Sequence, residues 1–281
     1  MKSWKGGNVK LVHKRNDRSK LTNYRPITLT SNWHKLFARI MNARLRYVCE
    51  RSGIFPEEQN GFREDRSTMD NVFTLLTLIE KAEKQKQPLH LSFIDLAKAY
   101  DTVDRMILWK KMKQLGFSES FINILKSMYN DDTLECQMGR ISTGRVYLRR
   151  GLRQGCNLSP LLFSIYVQEL SERLNDEGVG VRLWDQLVSH LFFADDLVLI
   201  GANPEDLSRL LTCLETWCQD FKMKVSIEKS KVISPLPNGE WPVVNLEMEY
   251  KYSLEQVEEY KYLGIEVYPS PRLTFQSHGQ N

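Results

Sequence analysis

Three carboxylates stand where apolar strands end, an unfavourable place for negative charge unless a cation compensates it. Asp95 closes the run Leu91-Ser92-Phe93-Ile94, and Asp195-Asp196 interrupt the apolar stretch from Leu191 to Ile200. Neighbours on a strand point to opposite faces, so two adjacent acids converge only where the strand turns, and hairpin spacing supplies that turn. If the Asp95 strand pairs beside this hairpin, repulsion among the three acids would be relieved by divalent cations with oxygen ligands, Mg²⁺ foremost. Two such ions about 3.5–4 Å apart clamp the attacking and leaving oxygens of an in-line phosphoryl displacement. Spacing alone favours a plainer reading, in which Asp195-Asp196 is a polar hairpin tip and Asp95 a helix N-cap.

The elements that must position these acids are legible as periodicity and punctuation. Ser31 to Arg51 has helical spacing, with Trp33, Leu36, Phe37, Ile40, Met41 and Leu45 as the apolar face and Lys35, Arg39, Arg44 and Arg46 between them. Caps at 65–68 open a helix from Met69 to Gln87, its inward residues Val72, Phe73, Leu75, Leu76, Ile79 and Ala82, and Pro88 stops it. A strand over Leu89–Ile94 follows, then helices over Arg105–Leu115 and Ser118–Tyr129, and a hairpin of Thr133–Met138 with Arg145–Arg149. Ser159-Pro160 starts a helix reaching Asn175, and Asn203-Pro204 starts another with acids in its first turn. Strands are expected at Leu187–Phe193, Leu197–Ile200, Lys231–Ser234 and Tyr262–Val267. The strand-helix rhythm of a parallel sheet is missing, so the fold class is α+β, helices on an antiparallel sheet.

The 281 residues are 42% hydrophobic and 26% charged, enough for a sizeable core and unlike a disordered or fibrous chain. No run approaches the ~20 apolar residues that span a bilayer, so no membrane partner is expected. Five scattered cysteines without a CxxC pair point to reduced thiols in an intracellular chain and against a zinc site. Net charge is only +4, but Met1–Arg51 holds 13 basic and 2 acidic residues. Between Glu135 and Glu169 there is no carboxylate, while Arg140, Arg145, Arg149, Arg150 and Arg153 all occur. One-sided positive charge suits a polyphosphate partner, and equally a solvated basic face with none.

Seven blocks give the sequence a wider likeness: Asn23-Tyr24-Arg25-Pro26-Ile27, Gln59-Asn60-Gly61-Phe62-Arg63, Phe93 to Val103, Arg153 to Phe163, Phe193-Ala194-Asp195-Asp196, Lys224 to Lys231, and Tyr262-Leu263-Gly264. In this order they resemble the reverse transcriptase domain of non-LTR (LINE-type) retrotransposons, over about residues 10 to 267. The resemblance implies a right-hand polymerase: a fingers-like basic lobe at 1–88, a palm at 89–267 with a fingers return around 133–155, and a polar tail at 268–281. It implies an RNA-directed DNA polymerase using two Mg²⁺ ions, with an RNA template, a DNA primer and a dNTP as partners and the nucleus as its place, and it leaves the oligomeric state open.

Carried over position by position, Asp95, Asp195 and Asp196 become metal-binding catalytic acids, with the Leu96 carbonyl as a further ligand. Tyr100 resembles the steric gate against a ribose 2′-OH, and Gln154-Gly155 the block beneath nucleotide and template. Lys14 and Arg25 resemble cations holding the triphosphate. Arg63 looks like a template contact, Tyr262-Leu263-Gly264 like the primer grip, and Lys229 like the proton donor to pyrophosphate, with Lys231 the alternative. Phe193 stands where tyrosine is common and would pack beneath the primer; Ser226 stands where asparagine is frequent. The family's helical thumb is not evident after Val267, so the chain is expected to be a truncated piece of a larger element. The competing expectation is a silent remnant that binds nucleic acid through Arg25, Arg39, Arg44 and the Arg140–Arg153 cluster.

Overall fold

A computed structural model describes residues 6–14, 17–130, 132–138, 141–235, 243–247 and 250–268. Arg140 and the tail from 269 onward lie outside the described residues. The chain divides into two compact units, Met1–Phe55 with Tyr100–Tyr166, and Pro56–Ala99 with Val167–Asn281.

In the first unit, strand β1 (Gly6–His13) pairs antiparallel with β2 (Tyr24–Leu29) and parallel with β4 (Thr133–Met138). Strand β4 is extended by β5 (Ile141–Ser142) and β6 (Val146–Tyr147). Helix α1 (Asn32–Arg51) starts at Ser31, whose side chain accepts the His34 N–H, as an N-cap should. Its buried face is His34, Ala38, Met41, Leu45 and Cys49, whereas Trp33, Leu36 and Ile40 stay exposed. The expected face is therefore rotated: α1 carries two apolar stripes, and the one built on small Ala38 and Cys49 is buried. Helices α4 (Arg105–Gln114) and α5 (Glu119–Tyr129) pack on each other, capped by Asp104 and Ser118. The one-turn helix α3 (Ala99–Thr102) precedes them, and α6 (Ser159–Asp176) runs from this unit into the next.

The second unit is built on a five-stranded sheet in the order β14 (Glu255–Gln256), β11 (Lys231–Ile233), β3 (His90–Asp95), β10 (Asp196–Gly201), β9 (His190–Phe193). Every pair but β14–β11 is antiparallel. Helix α2 (Thr68–Lys84) opens with a capping box between Ser67 and Asp70 and buries Val72, Leu75, Leu78 and Ala82, while Phe73, expected inside, is exposed. Its Leu75 and Leu78 join Leu91, Phe93, Leu191, Val198, Ile200 and Tyr262 in one core. Helix α7 (Pro204–Phe221) has Asn203 as N-cap and lays Leu207, Leu210, Leu214 and Trp217 inward, contacting β10 and β3.

Two strands expected to be continuous are not. Leu187–Val188 belong to β8 (Gln186–Val188), which turns back on β7 (Val181–Leu183), and a new strand begins at His190. The break falls at the polar pair Ser189-His190, flanked on both sides by apolar residues that read as one strand. Tyr262–Val267 is a hairpin of β15 (Tyr260–Tyr262) and β16 (Ile265–Val267), turning on Leu263 and Gly264. Both turn residues have positive φ, 45° and 94°, as a type I′ turn requires. The remaining strands, β12 (Val243–Glu247) and β13 (Tyr250–Ser253), form a separate ribbon. The mixed α+β class read from the sequence is the class observed.

Candidate active site

Strand β3 ends at Asp95, β10 begins at Asp196, and the antiparallel register sets the two directly across from each other. Facing residues of a ladder share one side of the sheet with Cβ atoms about 4.5–5.5 Å apart, so acids from distant parts of the chain meet at the sheet's end. Asp195 lies in the turn itself. Phe193 pairs with Asp196, leaving Ala194 and Asp195 as a two-residue loop, with Ala194 at φ 61°.

Asp95 is pinned from both sides. Its N–H donates to Ser230 Oγ at 3.0 Å and its carbonyl accepts from the Ser226 N–H at 2.8 Å. Next along the chain, Leu96 bridges to Val225, and the Ala97 N–H donates to the Lys224 carbonyl at 2.7 Å. The same 226–230 turn carries Lys229, whose Nζ lies 3.2 and 3.3 Å from the two carboxylate oxygens of Asp95. Sequence reading placed Lys229 here but assigned nothing to Ser226 or Ser230 as supports. A serine in a short turn has no local signature for a partner 135 residues away.

The electrostatics follow from this crowding. Asp196 reaches solvent, yet its carboxyl is pushed up to about 6, first by loss of hydration and then by the charges of Asp195 and Asp95, with Lys229 pulling the other way. The Tyr260 phenol is raised by burial and then by the charges of Asp196 and Asp95. Its ring stacks on Phe93 at 4.3 Å between centroids. Repulsion of this kind is what a hard cation relieves, and all-oxygen donors suit a divalent ion such as Mg²⁺, which takes one or two carboxylates and completes its shell with water and phosphate. Among the described residues no three His, Cys, Asp or Glu side chains form a finished cage. A cation at Asp95 and Asp196 would therefore draw further ligands from backbone, water or a bound phosphate.

Other expected residues of this unit surround the sheet. Phe193 is half-buried at the end of β9, and Tyr262 is buried with its hydroxyl accepting from Asn71 Nδ2 at 3.0 Å. Leu263 and Gly264 form the turn after it. Arg63 is folded onto its own loop, donating to the Pro56 carbonyl at 3.0 Å and lying 3.7 Å from Glu57.

The first unit holds the rest. Val12 pairs with Arg25, and the Lys14 N–H reaches the Asn23 carbonyl at 2.8 Å, so Lys14 and Arg25 share one face of the β1–β2 ribbon, both exposed. The Tyr100 ring stacks on Phe163 at 5.0 Å. Gln154 Nε2 donates to Asp101 at 3.3 Å, while its carbonyl takes the Thr28 N–H at 2.8 Å. Gly155 has φ 103°, and a Cβ there would lie 3.1 Å from the Thr28 carbonyl. Beside Gln154 is a cavity of about 130 Å³ bordered by Pro26, Thr28, Asp101 and Arg150. Arg153 departs from its sequence reading as a nucleic-acid cation: it is 2% exposed, and its guanidinium forks onto Asp132 at 2.6 and 2.7 Å.

A largely antiparallel sheet presenting paired acids and a lysine at adjacent strand ends is a site suited to metal-assisted phosphoryl chemistry. The chain belongs to the reverse transcriptase (RNA-dependent DNA polymerase) family, whose sequence profile matches residues 12–267. It is 30% identical to the retrovirus-related Pol polyprotein of the type-1 retrotransposable element R2 from Popillia japonica, over 84% of this chain and 33% of that one. It is 24% identical to the RNA-directed DNA polymerase from mobile element jockey of Drosophila melanogaster, over 100% of this chain and 30% of that one. The chain thus spans about a third of the length of these curated relatives. In fold it is similar to apo telomerase from Candida tropicalis truncated from its C-terminal domain, with a TM-score of 0.63 at 15% identity over 94% of this chain and 53% of that one.

Proposed function

We propose that this chain is an RNA-directed DNA polymerase domain that transfers a nucleotidyl group from a dNTP to the 3′-OH of a DNA primer paired with an RNA template. The observation that carries the reading is the register of Asp95 against Asp196, with Asp195 in the adjoining turn and Lys229 on Asp95. Family membership supports it.

Bound divalent cations, two Mg²⁺ in this proposal, would polarise the attacking 3′-oxygen and the leaving pyrophosphate oxygens. Asp95, Asp195 and Asp196 would hold them, with the Leu96 carbonyl as a further ligand. Lys229 is the proton donor to pyrophosphate, since its ammonium already lies 3.2 Å from Asp95, one of the acids that would hold the cations. Lys14 and Arg25 present positive charge from one ribbon face and would take the triphosphate. Tyr100 offers a flat ring, held against Phe163, as the sugar gate.

Primer extension on an RNA template tests the reading. The wild-type chain is expected to incorporate dNTPs and the Asp195→Asn variant not to. Equal incorporation by both would remove the acids from the mechanism, and salt-sensitive RNA binding without incorporation would leave binding as the function.

A further inference from the structure

The turn that carries Asp195 is built on an unfavourable residue. Ala194 sits at φ 61°, in the left-handed region that favours glycine, and such a conformation persists only where the surroundings fix it. The hydrogen bond that fixes it comes from one side chain. Gln59 is 1% exposed, and its Oε1 accepts two backbone donors, the Gly61 N–H at 2.9 Å and the Ala194 N–H at 3.1 Å. Without that oxygen the Ala194 N–H would be a buried donor lacking a ladder partner, because it lies in the loop between β9 and β10.

The segment that delivers Gln59 is itself locked to β9. The Phe192 N–H donates to the Glu58 carbonyl at 2.9 Å and the Asn60 N–H to the Phe192 carbonyl at 3.1 Å, so 58–60 runs beside β9 as a short parallel bridge. Close approach completes the fit: a Cβ on Gly61 would lie 2.2 Å from the Ala194 nitrogen. Asn60 then continues by hydrogen bond to Asn71, and Asn71 to the Tyr262 hydroxyl. One strap from outside the sheet therefore grips the acid-bearing turn and leads to the hairpin at Tyr262.

We propose that Gln59 is a positioning residue for nucleotidyl transfer, its amide oxygen holding the Ala194–Asp195 turn so that Asp195 and Asp196 are aimed together with Asp95; the inference rests on the polymerase reading above. It requires Gln59 to act through the turn and to touch neither nucleotide nor metal. Removing the oxygen should then lower turnover and weaken metal activation while leaving nucleotide affinity nearly unchanged.

The test uses amide-resolved hydrogen exchange on the ¹⁵N-labelled 281-residue chain, with primer extension in parallel. In the wild type the Ala194 amide should exchange as slowly as the β10 ladder amides; fast exchange there overturns the clamp without any variant. In Gln59→Met, which keeps length but loses the acceptor, Ala194 and Gly61 should exchange at least about tenfold faster, with the Val198 and Leu199 amides unchanged. The same variant should show a fall in kcat of about tenfold or more, a higher Mg²⁺ concentration for half-activation, and a dNTP KM within about threefold of wild type. Unchanged exchange at Ala194, or a loss confined to KM, overturns the proposal. No incorporation by the wild type would overturn the polymerase reading, and the catalytic purpose of the clamp with it, whereas normal wild-type incorporation with unchanged Ala194 protection in the variant would overturn the clamp alone.

Discussion

Asp95 and Asp196 face each other across the β3–β10 ladder, where lost hydration first, and then the charges of Asp195 and Asp95, push the Asp196 carboxyl up to about 6. A group whose folded value lies above its unfolded 3.8 binds more protons when folded, so stability falls as pH rises from about 4 through about 6 and levels off above that. Asp196→Asn should therefore raise the melting temperature in chelator at pH 7.5. Because the carboxylate reaches solvent, screening holds the gain to about 1 kcal/mol, or roughly 2–4 °C, and it should vanish below about pH 4. Incorporation should fall by roughly 10²–10³-fold in the same protein. A lower melting temperature would show that the acids do not strain the metal-free fold.

Lys229 touches Asp95 through its ammonium. Lys229→Met should reduce kcat by about 10–10²-fold, the usual range for removing a general acid, with the dNTP KM little changed. Steady-state kinetics at saturating and at limiting dNTP would read this split between kcat and KM. A variant that loses KM alone would make Lys229 a binding residue.

Buried histidines, two of them strongly shifted, make the fold sensitive to acid. His190 is fully buried between the Ser171 and Ser189 hydroxyls, and burial pushes it down to about 3; His34, buried beside Arg153, is held at about 4 by lost hydration and then by the Arg153 charge. Both stay neutral when folded and take a proton near pH 6.5 when unfolded, so stability falls as pH drops below about 6.5. On this linkage each contributes a loss of about 2 kcal/mol at pH 5, partly offset by Asp196. Urea midpoints at pH 7 and pH 5 measure it, and a midpoint that rises on acidification would contradict the burial of these rings.

The arginines between Glu135 and Glu169 should separate into two kinds. Arg153→Ala strips buried Asp132 of its forked guanidinium, with Arg105 still 3.8 Å away, and should cost about 3 kcal/mol of stability. Arg145→Ala, at an exposed position, should change stability by under about 0.5 kcal/mol and flatten the salt dependence of RNA binding. Chemical denaturation and binding titrations at two salt concentrations distinguish the two, and equal behaviour of the variants would refute the division.

Helix starts were plain in the chain because a cap is a local device: Ser31, Ser67, Ser118 and Asn203 each accept a backbone N–H two or three residues on. The acids at 95, 195 and 196 stood out for the same local reason, being charges at the ends of apolar runs. What a helix turns inward was less legible. Residues Trp33 and Phe73 are apolar at helical spacing and yet exposed, since periodicity names a stripe without naming what will cover it.

The order of residues thus set the class of the fold, the capped helices, the turn at Ala194–Asp195 and the identity of the acids and lysine. Tertiary structure alone decided that β3 lies beside β10 in the register that sets Asp95 opposite Asp196, that Arg153 turns inward to Asp132, and that Gln59 reaches Ala194. The physical reason is range. Caps and turns are satisfied within a few residues and leave their mark in composition, whereas strand order and buried partners are settled by which apolar faces close on one another. A hydrogen bond spanning 135 residues leaves no trace in the neighbourhood of either end.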